Sequence, residues 1–222
     1  MAAGVRLVVL GKQGAGKGTL CALLSQRYAV PHISTGDMLR AAVAAGSELG
    51  QQVGAVIAAG DLVSDEIIAA VVEERLSESD AATRGFLLDG FPRTVNQATM
   101  LEPITAKRPL NGVIDLEVPT DLVLQRLASR LVCKDCAAIY STKTPPATMG
   151  TCDKCGGPVE PRKDDQQAET IMNRLKAYEL ETAPLEVFYE ERGLLERLDG
   201  TRTPEQVFDD AVAAIERRRT SA

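Results

Sequence analysis

The chain contains no tryptophan, a single histidine and only 4% aromatic residues among its 222 positions. It also lacks any long apolar run. Met1-Ala2-Ala3-Gly4-Val5-Arg6 leads into a short apolar stretch broken at Gly11 and Lys12, too short for a signal-peptide core or a membrane span. The protein is therefore expected to stay in the cytoplasm without a membrane partner. Basic residues are outnumbered, 25 Lys and Arg against 31 Asp and Glu for a net charge of −6, which disfavours broad contact with nucleic acid or anionic lipid. Cations that act must do so in a local cluster. Repeats, low-complexity tracts and coiled-coil heptads are absent too. With 45% hydrophobic residues, the chain can bury a sizeable core as one domain with inserted lobes.

Of five cysteines, four fall in two Cys-x-x-Cys pairs, Cys133/Cys136 and Cys152/Cys155, with fifteen residues between the pairs. In a reducing compartment that spacing reads as a four-cysteine zinc site more than as disulfides. Four thiolates saturate a tetrahedral ion and leave no position for substrate water, so such a metal is structural. It would let an insert carrying Pro145, Pro146 and Gly150 fold with few large apolar residues, since structural zinc supplies about 10–16 kcal/mol of apparent binding energy. A redox dithiol and a nucleic-acid-binding zinc ribbon are the alternative readings. Cys21, alone in the first helical pattern, reads as core.

The strongest signal is Gly11-Lys12-Gln13-Gly14-Ala15-Gly16-Lys17-Gly18-Thr19, lying between the apolar run Val5 to Leu10 and a helical pattern from Leu20 to Tyr28. Gly11, Gly16 and Lys17 match a phosphate-binding loop; Gly18 stands where that pattern has Ser or Thr, and Thr19 follows. Glycines let successive N–H groups point inward, the helix N-terminus adds partial positive charge, and Lys17 adds a full one. A glycine-rich turn is the plainer reading, but strand, lysine and helix together favour a polyphosphate cradle. Further β-like runs at His32 to Ser34, Gly85 to Asp89, Val113 to Val118 and Leu194 to Leu198 alternate with helical patterns. They predict an α/β fold with a parallel five-stranded sheet, helices on both faces, and ligands at the carboxyl ends of the strands.

A second signal is the apolar run ending in Asp89-Gly90-Phe91-Pro92-Arg93-Thr94. Beside a P-loop, such an aspartate suits Mg²⁺, held directly or through water, and Arg93 is placed to fork onto a phosphate. Taken alone, Asp89 caps a turn. Ser34 to Arg40 opens Ala- and Val-rich helices interrupted at Gly46, Gly50, Gly54 and Gly60, which read as loosened helices, either a plain connection or a mobile lobe. Ser64 N-caps a helix to about Ser77. Arg126 and Arg130, four apart after Pro119, are expected on one helix face. Arg162-Lys163-Asp164-Asp165 precedes a helix from Gln166 to Tyr178 containing Arg174. His32 reads as a strand-start packing residue, and a last helix from Pro204 to about Arg219 closes the sheet's edge.

Gly14-Ala15-Gly16-Lys17-Gly18-Thr19, Ile33-Ser34-Thr35-Gly36-Asp37-Met38-Leu39-Arg40 and Asp89-Gly90-Phe91-Pro92-Arg93-Thr94 resemble the signatures of the nucleoside monophosphate kinases, most closely the adenylate kinase family, over nearly the whole chain. The resemblance implies a P-loop three-layer core (1–33, 64–128 and 166–222), a helical NMP-binding insert (34–63) closing over AMP, and a zinc-binding lid (129–165) closing over ATP. It implies ATP contacts from Gly14, Ala15, Gly16, Lys17, Gly18, Thr19, Arg126, Arg130, Ile139, Tyr140 and Arg202. AMP contacts would come from Thr35, Gly36, Arg40, Asp61, Leu62, Val63, Gly90, Phe91, Pro92, Arg93, Gln97, Arg162 and Arg174. Gln97 would take the adenine edge, where an amide donates and accepts as the base demands.

By the same resemblance, Lys17, Arg93, Arg130, Arg162 and Arg174 carry catalysis, Asp89 holds Mg²⁺ through water, and Cys133, Cys136, Cys152 and Cys155 hold zinc. The implied reaction is reversible: ATP plus AMP gives two ADP, in a monomer without nucleic acid. It needs no general base, because the accepting AMP phosphate oxygen is already ionised at neutral pH. This sequence departs from the family at Lys12 and Gln13 in place of Ala-Pro, Ala137 in place of Gly and Ser141 in place of His. The spacing from Asp165 to Arg174 is one residue longer. A GTP donor, another monophosphate acceptor, a nucleotide-binding regulator without turnover and an RNA-binding zinc protein are the competing readings.

Overall fold

The computed structural model describes residues 4–221, so Met1, Ala2 and Ala3 of the leading segment lie outside the described residues. In chain order come β1 (Arg6–Gly11), α1 (Lys17–Tyr28), β2 (His32–Ser34), α2 (Thr35–Ala44), α3 (Glu48–Ala59), α4 (Asp65–Ser77) and α5 (Ser79–Arg84). Next are β3 (Phe86–Asp89), α6 (Val95–Thr105), β4 (Gly112–Glu117), α7 (Thr120–Ser129), β5 (Arg130–Cys133), β6 (Ile139–Ser141) and β7 (Val159–Pro161). The chain ends with α8 (Ala168–Ala177), α9 (Pro184–Glu190), β8 (Leu195–Asp199) and α10 (Pro204–Ser221).

Five strands form one parallel sheet in the order β2-β3-β1-β4-β8. Period-two alternation sends the apolar side chains of β1 to both faces. Leu7 and Val9 pack with Leu24 of α1, Leu127 of α7 and Ile215 of α10, while Val8 and Leu10 pack with Val72 of α4, Leu101 of α6 and Leu185 of α9. A strand apolar on both faces belongs between two helical layers, and each buried Val or Leu contributes about 1.5–3 kcal/mol. β1 is central, and the chain steps from it first towards β2 and β3 and later towards β4. Its carboxyl end is therefore the switch point, where open α/β sheets leave a crevice for a ligand.

The expected runs all form, with shifted ends. β1 runs through Gly11, which is in register with Leu116 of β4. The helix after the loop starts at Lys17, not Leu20, because the loop's last residues form its first turn. α7 ends at Ser129, so Arg130 opens β5 and does not share a helix face with Arg126. The helix expected from Gln166 begins at Ala168, after a 3₁₀ turn at Lys163–Asp165, and passes into a π turn at Tyr178–Thr182. α10 lies on a face of the sheet beside α1, not along its edge, because Val207, Ala211 and Ile215 recur every four residues and carry it onto the core.

Two lobes stand out from the core. α2 and α3 form a helical pair that crosses closely at Gly50, where an added Cβ would lie 2.1 Å from the Ala42 carbonyl oxygen. That glycine tightens a helix crossing and does not loosen a helix. The second lobe is an antiparallel sheet, β6-β5-β7, whose small core is Cys133, Ala138, Cys152 and Val159 with Leu131 and Tyr140 against it. Among the described residues no helix is long and apolar enough to cross a membrane.

Candidate active site

The glycine-rich loop joins β1 to α1 at the centre of the sheet. Lys17 is half-buried, and its Nζ donates to the carbonyls of Gly11 at 2.6 Å and Lys12 at 2.9 Å, curling back over the loop. Burial lowers its pKa, Asp89 opposes that shift, and Arg93 and Arg130 add to it. Lys12 and Gln13, the residues that replace Ala-Pro, tie the loop down from outside. Lys12 Nζ donates to Thr120 Oγ1 at 3.0 Å and pairs with Glu179 at 3.0 Å, while Gln13 Nε2 donates to the Ile171 carbonyl at 3.0 Å. Polar clamps thus hold what a proline would have stiffened.

Gly18, at the position of the usual hydroxyl residue, sits under the second lobe. A Cβ there would lie 2.9 Å from Ile139 Cδ1 of β6 and 3.8 Å from Asp89 Oδ2, so a side chain would have to push aside the tip of Ile139. Arg126 donates to the carbonyls of Ala15 at 3.0 Å and Gly200 at 2.8 Å, bridging the loop and the β8–α10 turn. Arg202, in that turn, is exposed and pairs with Asp210.

Asp89 ends β3 beside β1. Burial pushes its carboxyl up, but the hydrogen bond from His32 and the charges of Lys17 and Arg93 outweigh burial and leave it lowered. His32 Nε2 lies 3.3 Å from Asp89 Oδ2. The histidine expected merely to pack at a strand start is thus the partner of the site's aspartate, which pairing of β2 with β3 makes possible. Thr35 is buried and donates to the Asp89 carbonyl at 3.4 Å. Arg93 Nε donates to the Gly90 carbonyl at 2.8 Å, with Phe91 and Pro92 buried beneath it.

Four more arginines close the cleft. Asp164 takes Arg174 at 2.9 Å, Arg162 at 3.3 Å and Arg40 at 3.6 Å, so one carboxylate joins α2, the segment after β7 and α8. Asp165, 3% exposed, takes Arg130 in a two-pronged bond of 2.7 and 2.8 Å. Arg40 also pairs with Asp37 and lies over Gly36. Burial lowers the pKa of Arg40 and Arg130, and Arg162 lowers both further. Arg93 is brought down to about 10, by burial first and then by Arg174, Arg40 and Arg162 against the pull of Asp89. Arg174 reaches the cluster despite the longer spacing, because Gln166 and Gln167 form a non-helical joint before α8.

Gln97, 2% exposed on α6, has both ends of its amide engaged: Oε1 accepts from the Arg93 N–H at 2.7 Å and Nε2 donates to Asp65 Oδ1 at 2.7 Å. Asp65 also accepts from Thr94 and Asn96, a role that its place after an N-cap serine did not signal. Asp61 is exposed, with Leu62 and Val63 half-buried, between α3 and α4. The Gly60 turn before them packs against α8, where Asn173 Nδ2 donates to the Ala59 carbonyl at 3.2 Å.

In the second lobe, the sulfurs of Cys133, Cys136, Cys152 and Cys155 lie within 4.8 Å of one another, with the Cys133–Cys155 and Cys136–Cys152 pairs at 3.5 Å. A tetrahedron with about 2.3 Å arms has edges of about 3.8 Å, so this donor set fits a thiophilic ion. Cys152 Sγ lies 3.4 Å from Tyr140 Oη, which accepts from the Asp153 N–H at 2.9 Å, leaving the phenol hydrogen for the sulfur. The two knuckles turn alike: the Ala137 N–H donates to the Cys133 carbonyl at 3.1 Å and the Gly156 N–H to the Cys152 carbonyl at 2.9 Å. Both residues have positive φ, 56° at Ala137 and 76° at Gly156.

A glycine-rich loop opening a helix at the switch point of a parallel sheet, under a cationic cleft, defines a P-loop nucleotide-binding protein. The profile of the family described as adenylate kinase matches residues 9–194. The chain is 47% identical over 215 residues to an adenylate kinase of Desulfitobacterium hafniense (strain DSM 10664 / DCB-2), covering 96% of this chain and 98% of the relative. It is 45% identical over 216 residues to one from Carboxydothermus hydrogenoformans (96% and 100% covered) and 49% identical over 201 residues to one from Moorella thermoacetica (89% and 92% covered). The chain belongs to the adenylate kinase family.

Proposed function

We propose that the chain transfers the terminal phosphoryl group of Mg·ATP reversibly to AMP, giving two ADP. The observation that carries this reading is the gathering of six cations in one cleft, Arg40, Arg130, Arg162 and Arg174 around Asp164 and Asp165, and Lys17 and Arg93 facing Asp89. Like charges held together in a half-buried cleft repel one another, and that cost is offset when a polyanion enters. Two nucleotides bring such a polyanion. Phosphoryl transfer asks little covalent chemistry of the protein and much positioning and charge stabilisation, which suits a cleft of arginines with no general base.

In this reading the Gly14–Thr19 amides and Lys17 cradle the ATP phosphates, with Arg126 fixing the loop and Ile139, Tyr140 and Arg202 lying towards the ATP base. Thr35, Gly36, Arg40, the Asp61–Val63 segment and the Gly90–Pro92 turn surround AMP. Gln97 exchanges its bonds to Arg93 and Asp65 for the adenine edge. Arg130, Arg162 and Arg174 move from Asp164 and Asp165, and Arg93 from the Gly90 carbonyl, onto the transferring phosphoryl and its neighbours. Asp89 would hold Mg²⁺ through water, where the ion would supply positive charge against the ATP phosphates. Residues 34–63 act as the AMP-binding lobe and 129–165 as a lid that excludes water, so that the donor is not hydrolysed. Cys133, Cys136, Cys152 and Cys155 would hold a structural zinc ion that ties that lid together. The enzyme acts as a cytoplasmic monomer on free nucleotides, and its net charge of −6 disfavours broad contact with nucleic acid.

Lys17→Met and Arg93→Ala should each lower kcat by about 10²–10³, the usual cost of losing one preorganised donor to a transition state, with smaller changes in KM. ADP formation followed in both variants, with circular dichroism to check the fold, tests this. Near-normal kcat in both would sink the assignment.

A further inference from the structure

A second cluster of metal-ligating groups lies beside the phosphate loop. Cys21 on α1, His32 at the start of β2 and Asp89 at the end of β3 bring a thiol, an imidazole nitrogen and a carboxylate oxygen within 4.8 Å of one another. Cys21 is fully buried, and its sulfur makes no hydrogen bond among the described residues. His32 and Asp89 are 23% and 13% exposed, which opens the cluster to the cleft. Sulfur, imidazole and carboxylate together suit a borderline-soft ion such as zinc and not Mg²⁺. Tetrahedral zinc, with arms of about 2.0–2.3 Å, separates its ligands by about 3.3–3.8 Å, so His32 Nε2 and Asp89 Oδ2, 3.3 Å apart, already stand at ligand spacing, and the sulfur, within 4.8 Å of both, closes by at most about an ångström.

We propose that Cys21, His32 and Asp89 form a second, inhibitory site for a thiophilic divalent cation such as zinc, distinct from the four lid cysteines. Binding displaces the Cys21 proton to solvent and replaces the His32–Asp89 hydrogen bond by two metal bonds. The ion takes Asp89 away from Mg²⁺, so turnover falls. Lys17 faces the same carboxylate and opposes a second cation, which makes this site weaker than four thiolates and the last to fill. The inhibition rests on the role proposed above for Asp89; the binding does not.

The test starts from protein whose lid is loaded with zinc, dialysed against added zinc and assayed for metal per chain and for Mg·ATP turnover. Wild type should bind two ions and lose activity with the second. Cys21→Ala and His32→Asn should each bind one, and Cys21→Ala should keep basal turnover and need at least about tenfold more zinc for half inhibition. A second ion retained by both variants, or a single ion in wild type, overturns the site. A second ion bound without loss of turnover overturns the inhibition and the role of Asp89 in it. Protein inactive from the outset would defeat the phosphotransfer reading, yet its metal count would still decide the site.

Discussion

Asp115 lies in β4 with 2% exposure, and its Oδ1 has no hydrogen-bond partner. Burial, then Glu186 and Glu117, raise its pKa from 3.8 to about 6. An acid whose folded pKa is raised binds its proton more tightly when folded. Its favourable contribution is full below about 3.8 and is lost as pH rises through about 6, leaving a buried charge at neutral pH. About two units correspond to roughly 3 kcal/mol. Asp115→Asn should therefore gain on wild type by roughly 2–3 kcal/mol between pH 4 and pH 8, read as the difference in urea unfolding free energy; a pH-independent difference would contradict the burial account. Ala137 holds a left-handed conformation that its counterpart Gly156 adopts freely, at a cost of about 1–2 kcal/mol. Ala137→Gly should stabilise the lid by up to about 1 kcal/mol once glycine's larger unfolded entropy is subtracted, seen as slower amide exchange in β5 and β6.

Among the elements, the second lobe, proposed above as a lid, has the least apolar packing of its own. Its apolar core amounts to four small buried residues with Leu131 and Tyr140, against a main sheet buried on both faces. Chelation should therefore abolish exchange protection in β5, β6 and β7 while β1, β3 and β4 keep theirs, with activity lost in parallel; lid protection that survives metal removal would contradict this. The metal pattern was legible because two Cys-x-x-Cys pairs state their ligands locally. So were the five core strands, whose apolar runs follow from burial on both faces. The course of α10 was not, since helix periodicity marks an apolar stripe but not the layer it meets. The place of Arg130 on β5 is not legible in the sequence, because nothing local marks where α7 gives way to β5.

At the scale of the whole molecule, the cleft is a product of topology. β1 and β3 deliver Lys17, Asp89 and Arg93 to one end of the sheet, and the two lobes add Arg40, Arg130 and Arg162 from stretches remote in sequence. The loop and the aspartate could be read from short motifs. The His32–Asp89 pair and the sharing of Asp164 by three arginines could not, because both exist only once strands pair and lobes close. The activity proposed for this cationic cleft is transfer of a phosphoryl group between two adenine nucleotides. The most direct measurement is ADP formation from Mg·ATP with AMP, CMP, UMP or GMP supplied in turn, and with ATP alone as the hydrolysis control. Rapid turnover is expected with AMP, little with the other monophosphates and almost none with ATP alone. Turnover favouring another monophosphate would contradict the role given to Gln97, and no turnover with any acceptor would contradict the function itself.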